Sequence, residues 1–296
     1  MKYILILSLL FISSCSSTQS EKELSKNELQ LELDSLTNDD FKPVQQIRYN
    51  ERGDYHVIGD LVDDALKDET LAKVDSGKIK ELDEKMTGVS GLCYLGKTQE
   101  GMELLDKLYP KYKNNPSYWN QLASCYLKNG EYRRAKVFFN KAISLDKDYL
   151  PALNNLGVVY IKEGKDEKAV AAFKQALNVK NTAKTPMYNL SNLYIKYGLL
   201  DKASGMLQRV LRSDMKDRDV LLSLAYIELY KKDPQGALNY LSKVSSDHLS
   251  RVDFSLALLY SYKLAGSKNV EKVSDFLRGQ NLSKRQSDIM NTIMRL

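Results

Sequence analysis

Histidine is nearly missing from this 296-residue chain, which has only His56 and His248, and cysteine occurs three times. So small a supply of imidazole and thiol, at spacings unlike a zinc cluster, excludes a metal centre built from them. Proline occurs six times and glycine fifteen times, so long uninterrupted helices are open to most of the chain. One tryptophan and seven phenylalanines stand against nineteen tyrosines. That imbalance suits many half-buried positions, where a ring packs inside and its hydroxyl reaches water. No glycine-rich loop for phosphate and no nucleophile in an interpretable turn is found. The pairs Asp39-Asp40 and Asp63-Asp64 read as solvated acidic surface. An enzyme is not indicated, and no cofactor is expected.

What is present is unevenly charged. Residues 21–70 hold fourteen Asp/Glu against six Lys/Arg, and residues 71–296 hold thirty-seven Lys/Arg against twenty-four Asp/Glu. An acidic front therefore precedes a basic body, to which an acidic protein, an anionic membrane or a nucleic acid could be drawn. The N-terminus narrows that choice. Met1-Lys2 is followed by the apolar run YILILSLLFI at residues 3–12 and by Ser13-Ser14-Cys15, the layout of a secretory signal and too short to span a bilayer. Ile12-Ser13-Ser14-Cys15 resembles a bacterial lipobox, which implies a signal peptide over residues 1–14 and acyl chains, palmitate among them, on Cys15. Several acyl chains hold a soluble body at a membrane where one would not. Ser16, by the sorting pattern of such lipoproteins, implies the inner leaflet of the outer membrane, facing the periplasm. Residues 15–55 then form an acidic, flexible spacer, and residues 56–81 contain a candidate capping helix. In the cell envelope, nucleic acid is not an expected partner.

The body repeats itself. Trp119, Leu122, Ala123 and Tyr126 are followed by Gly130, Ala135, Phe139 and Ala142, and steps of thirty-four residues recover the series. The first step gives Leu153, Leu156, Gly157, Tyr160, Gly164, Ala169, Phe173 and Ala176. The second gives Met187, Leu190, Ser191, Tyr194, Gly198, Ala203, Leu207 and Val210. A third keeps Ala237, Leu241 and Val244, while the tyrosine has become Glu228 and the turn glycine Lys232. Large residues three or four apart mark one buried helix face, small residues admit a second helix, and each glycine falls where the first helix must end. A helix pair of this kind leaves an apolar face that only another pair covers.

This pattern resembles the tetratricopeptide repeat family. The resemblance implies an all-α, right-handed superhelical solenoid of antiparallel helix pairs. Five units are expected within residues 82–251: 82–115, 116–149, 150–183, 184–217 and 218–251. A degenerate pair and a C-terminal capping helix would fill residues 252–296. It also implies a partner groove lined by the first helices, carried by Asn120, Ser124, Lys128, Asn154, Asn155, Val158, Lys162, Tyr188, Asn189, Asn192, Lys196 and Tyr226. Amides there would bond a peptide backbone, and Lys128, Lys162 and Lys196, recurring in phase, would favour acidic residues. Equally, lysines near a helix end can simply complement its dipole. The fifth position of each unit is Asn120 or Asn154 where chaperone-binding relatives carry lysine, so that role is not implied.

The acidic residues 28–40 offer a possible occupant for this groove. Tyr226, Leu229 and Tyr230, the most apolar part of the groove, read as a partner pocket, a self-association surface or the seat of the C-terminal cap, the last being preferred. Cys93 and Cys125 stand in neighbouring units, compatible with a disulfide or with two buried thiols, and the choice stays open. The expectation is a non-catalytic scaffold or assembly factor for envelope proteins, resembling pilotin-type repeat lipoproteins. The alternatives are an adaptor for peptidoglycan hydrolases or proteases, or a fixed subunit of a secretion or motility complex.

Overall fold

The computed structural model describes Val89, Leu92, Cys93 and residues 96–296. Cys15, the spacer and the expected capping helix at residues 56–81 lie outside the described residues. By internal contacts the chain divides into two units, Met1–Phe41 and Lys42–Leu296. Everything below belongs to the second.

Each first helix begins where the chain has just left an extended or turn residue, and each ends at a left-handed one. After helical residues Val89, Leu92 and Cys93 come α1 (Thr98–Tyr112), α2 (Pro116–Lys128), α3 (Tyr132–Leu145), α4 (Leu150–Lys162), α5 (Asp166–Val179), α6 (Lys184–Lys196) and α7 (Leu200–Ser213). Next are α8 (Arg218–Tyr230), the short α9 (Pro234–Leu241), the single turn α10 (Ser246–Leu249), α11 (Val252–Leu264), α12 (Asn269–Arg278) and α13 (Lys284–Arg295). The described structure is an all-α solenoid of stacked antiparallel helix pairs, α2 on α3, α4 on α5, α6 on α7, α8 on α9 and α11 on α12.

The turn inside each pair is one motif repeated. Gly164 has φ +72°, its N–H donates to the Ile161 carbonyl (2.9 Å), and the Lys165 N–H donates to the Tyr160 carbonyl (2.8 Å). This is the Schellman ending, which satisfies carbonyls that the helix itself leaves unpaired. Gly96, Gly130, Gly198 and Gly266 repeat it with φ between +62° and +79°. Lys232 does so without glycine, at φ +60°, with N–H bonds from Lys232 to Leu229 (3.0 Å) and from Asp233 to Glu228 (2.9 Å). Gly266 extends the thirty-four-residue rhythm into the C-terminal pair, one step further than the sequence reading carried it.

The core lies between the two helix layers. Ala135, Phe139, Ala169, Phe173, Leu190, Ala203 and Leu207 are fully buried, and Leu122 and Tyr194 nearly so. Trp119, Tyr126, Leu156 and Tyr160 are half-buried. At the crossing of α4 and α5, a Cβ added to Gly157 would stand 2.5–2.9 Å from the Phe173 ring, so only glycine lets these two helices approach so closely. In the N-terminal units, Trp119 and Tyr126 each stack on Phe138 (5.7 and 5.3 Å between centroids), and Tyr109 meets Trp119 edge-on. The buried hydroxyl of Tyr118 donates to the Leu105 carbonyl (3.2 Å), and burial, with Asp106 nearby, pushes its pKa up to about 12.

Cys93 and Cys125 form a disulfide with Cα atoms 5.2 Å apart, which closes the question the sequence left open. It ties the helical turn before α1 to α2. Gly101 makes room for it, since a Cβ there would fall 2.6 Å from the Cys93 sulfur. The C-terminal cap, expected on Tyr226, Leu229 and Tyr230 of α8, instead packs chiefly on α11, where Lys263 donates to the Met294 carbonyl (3.0 Å). Its start is a capping box between Ser283 and Gln286.

Candidate functional site

The face formed by the first helices collects the residues singled out above, because positions thirty-four apart occupy equivalent places on α2, α4, α6 and α8. Asn120, Asn154, Asn189, Asn192, Val158 and Tyr226 are fully buried, Asn155 is almost so, and Ser124 is 8% exposed. The lysines reach furthest out: Lys128 is exposed, and Lys162 and Lys196 are half-buried.

The asparagines form a ladder. Asn155 Nδ2 donates to Asn120 Oδ1 (3.2 Å), Asn154 Nδ2 to Asn155 Oδ1 (3.2 Å), and Asn189 Nδ2 to Asn154 Oδ1 (3.0 Å). Three consecutive first helices are thereby joined through buried amides, each step pairing the fifth residue of one unit with the sixth of the next. At the following step Tyr188 takes the asparagine's place and Ser223 its partner's. Burial foremost, reinforced by Asp219, drives the Tyr188 pKa upward against its hydrogen bonds with Ser223 and Asn192. Ser223 Oγ also donates to Asn192 Oδ1 (2.8 Å). One step further the same places hold Leu222 and Ala257, both buried and apolar. The face is thus amide-floored over α2, α4 and α6 and apolar over α8 and α11.

Asn120 Nδ2 is buried without a hydrogen-bond partner. Among the described residues Asn192 Nδ2 is in the same state, whereas Lys196 pairs with Asp166 (2.6 Å), which also accepts from the Tyr197 hydroxyl (2.7 Å). Sequence reasoning read these amides as groups for a partner's backbone and missed that they bond one another. The signal was the thirty-five-residue spacing between Asn120 and Asn155 and between Asn154 and Asn189. Among the described residues no group of three or more His, Cys, Asp or Glu could hold a metal ion, and no helix is long and apolar enough to cross a membrane.

Comparisons with known proteins agree with this architecture. The family model described as the cilia and flagella-associated protein 70 middle TPR-like domain matches residues 104–212. The structure of PilF from Pseudomonas aeruginosa is similar at TM-score 0.60 and 16% identity, over 73% of this chain and 99% of that one. PilW, a widely conserved type IV pilus biogenesis factor, is similar at TM-score 0.59 and 17% identity, over 70% of this chain and 96% of its own. A tetratricopeptide repeat protein from Parabacteroides merdae matches at TM-score 0.53 and 14% identity, over 79% and 99%. A search of curated protein sequences finds no match. The fold is the tetratricopeptide repeat fold, which fixes how such a protein presents a surface and leaves open what the surface takes.

Proposed function

We propose that this protein is a non-catalytic scaffold or assembly factor of the bacterial envelope, tethered through Cys15, that holds a segment of a partner protein against its first-helix face. The observation that carries the reading is the in-phase series Lys128, Lys162 and Lys196, the last already paired with Asp166 (2.6 Å), at the edge of an amide-floored face. Lysines at fixed intervals on an unyielding backbone suit an extended or helical segment with acidic side chains in step. The apolar floor over α8 and α11 would take the segment's hydrophobic residues. A pilus biogenesis factor carries the same fold over nearly its whole length, so an assembly role is the first to test, ahead of hydrolase recruitment or a fixed place in a secretion complex.

The test is photo-crosslinking in cells from a probe at Lys162, which leaves the asparagine ladder intact, with the captured peptide identified by mass spectrometry. Capture of one acidic segment of an envelope protein from Lys162, and none from Val137 on α3, is the expected result. Equal capture from Val137, which is 63% exposed on a second helix, would remove the first-helix face from the mechanism.

A further inference from the structure

The outward face of α3 is unlike that of the other second helices. At about 100° per residue, Arg133, Val137, Lys141, Arg134, Leu145 and Phe138 follow one another within an arc of about 140°. The buried Ala135, Phe139 and Ala142 lie on the other side of the helix. Val137 is 63% exposed and Leu145 37%, Arg133, Arg134 and Lys141 are exposed, and no Asp or Glu lies within the helix. Glu131, just before it, pairs with Arg134 (2.6 Å), which leaves Arg133 and Lys141 to set the sign of the face. At one edge of the arc the Phe138 ring carries the stack of Trp119 and Tyr126, and Tyr109, itself exposed, meets Trp119. Lys141 Nζ stands 6.0 Å from the Trp119 ring centre, and the Arg134 guanidinium 5.5 Å from that of Tyr126.

Later units do not repeat this surface. Where α3 has Arg133, Val137, Phe138 and Lys141, α5 has Glu167, Ala171, Ala172 and Gln175. In the same places α7 has Asp201, Gly205 and Met206, and only Arg209 keeps the charge. Among the described second helices, exposed aliphatic, aromatic and basic side chains therefore combine on α3, at the end of the stack that comes first in the chain after Cys15. We infer that this end of the solenoid rests on an anionic lipid surface through α3, Trp119 and Tyr109, and so fixes how the tethered stack stands on its membrane. The inference rests on the proposed tether and makes no use of the first-helix face.

Tryptophan and tyrosine beside lysine and arginine suit the level of lipid headgroups, with rings at the acyl boundary and charges on phosphate. Both kinds of side chain stand on the outer arc of a single helix, a shape that lies on a flat surface, whereas an acidic peptide would need walls on either side of it. Each cation near an anionic leaflet strengthens binding by roughly fivefold, so Arg133 and Lys141 alone give a transient contact. A body already held at the surface by acyl chains needs no more, since the anchor supplies a high effective concentration. With α3 on the membrane, the first-helix layer lies across the core from the lipid, where a partner segment reaches it from the aqueous side.

Trp119 is the chain's one tryptophan, so its fluorescence reports this patch directly. The experiment adds the purified full chain to vesicles of phosphatidylcholine alone or mixed with phosphatidylglycerol, each carrying a headgroup spin label that quenches a tryptophan in contact. Several-fold stronger quenching in the anionic vesicles, lost as salt is raised, is expected. Arg133→Glu/Val137→Glu changes two exposed positions away from the core. With circular dichroism confirming its helices, this variant should show only the quenching of the neutral vesicles. Equal quenching with and without phosphatidylglycerol, or an unchanged double variant, overturns the inference even where the chain stays bound through its N-terminus. A diazirine probe at Val137 in cells should crosslink to lipid, and capture of a protein there would instead assign the patch to an acidic partner and sink the membrane contact. Partner capture from Lys162 without the Trp119 signature would remove the membrane contact alone and leave the proposed function standing.

Discussion

The helix pair α4–α5 keeps the repeat's signature residues, and the pair α8–α9 has lost several of them, yet the two share a backbone plan. In the first, Gly157 admits the Phe173 ring, Gly164 supplies the left-handed turn, and α5 runs fourteen residues. In the second, Lys232 occupies the left-handed turn at φ +60° and α9 is eight residues long, followed by the single turn α10. The same two carbonyl bonds close both turns. A non-glycine residue in this conformation costs on the order of 1 kcal/mol, and the packing of α8 against α9, α7 and α11 outweighs it. Signature residues therefore lower the cost of the turn, while stacking on neighbours imposes it.

That contrast can be broken where it is sharpest. Gly157→Val should be the most damaging change, since its Cβ alone would overlap the buried Phe173 ring. A loss of about 3 kcal/mol is expected in denaturant melts, and a melt like the parent's would mean that the close crossing is not what holds α4 on α5. Asn154→Leu leaves Asn155 and Asn189 each short of a buried partner, with an expected loss of about 2 kcal/mol. Its mirror, Leu222→Asn, places an amide where the neighbouring unit offers Ala257, and should also destabilise, because a ladder needs both rungs. If Leu222→Asn melted higher than the parent, the change from amides to apolar residues along the face would carry no structural meaning.

At the turns, Gly164→Val is expected to lose about 1–2 kcal/mol and Lys232→Gly to gain up to about 1 kcal/mol, opposite signs at equivalent positions. Equal signs in matched thermal melts would show that the two turns are not equivalent. The smallest effect concerns Glu163, at the end of α4. Burial alone would raise its pKa, but hydrogen bonds and charge from Lys136 and Lys165 overcome this and hold it below the ordinary glutamate value. Its contribution is complete above the unfolded pKa and fades as pH falls through the lower folded one. Glu163→Gln should thus cost under about 1 kcal/mol near neutral pH and nothing in strong acid. A penalty that persists in acid would remove the ion pairs as its cause.

Much of the solenoid was legible before any coordinates, for a definite reason. Residues thirty-four apart meet the same steric demands at each unit, so Ala135, Ala169 and Ala203 stay small, and Gly130, Gly164 and Gly198 stay left-handed. The face around Asn154 was legible as a surface of the first helices. Its internal chemistry was not, because a polar side chain in a sequence reads as a group for water or a partner. Only stacking sets Asn120 opposite Asn155 and Asn154 opposite Asn189, thirty-five residues apart.

The chain by itself determined its period, its helix ends and the asymmetry between an acidic front and a basic body, since each follows from residue size, backbone freedom or charge counted along one dimension. Tertiary structure alone decided that Cys93 and Cys125 pair, that the cap rests chiefly on α11, and that the asparagines bond one another. Each of those depends on which side chains come within a few ångströms across helices, a distance that only the packed stack defines.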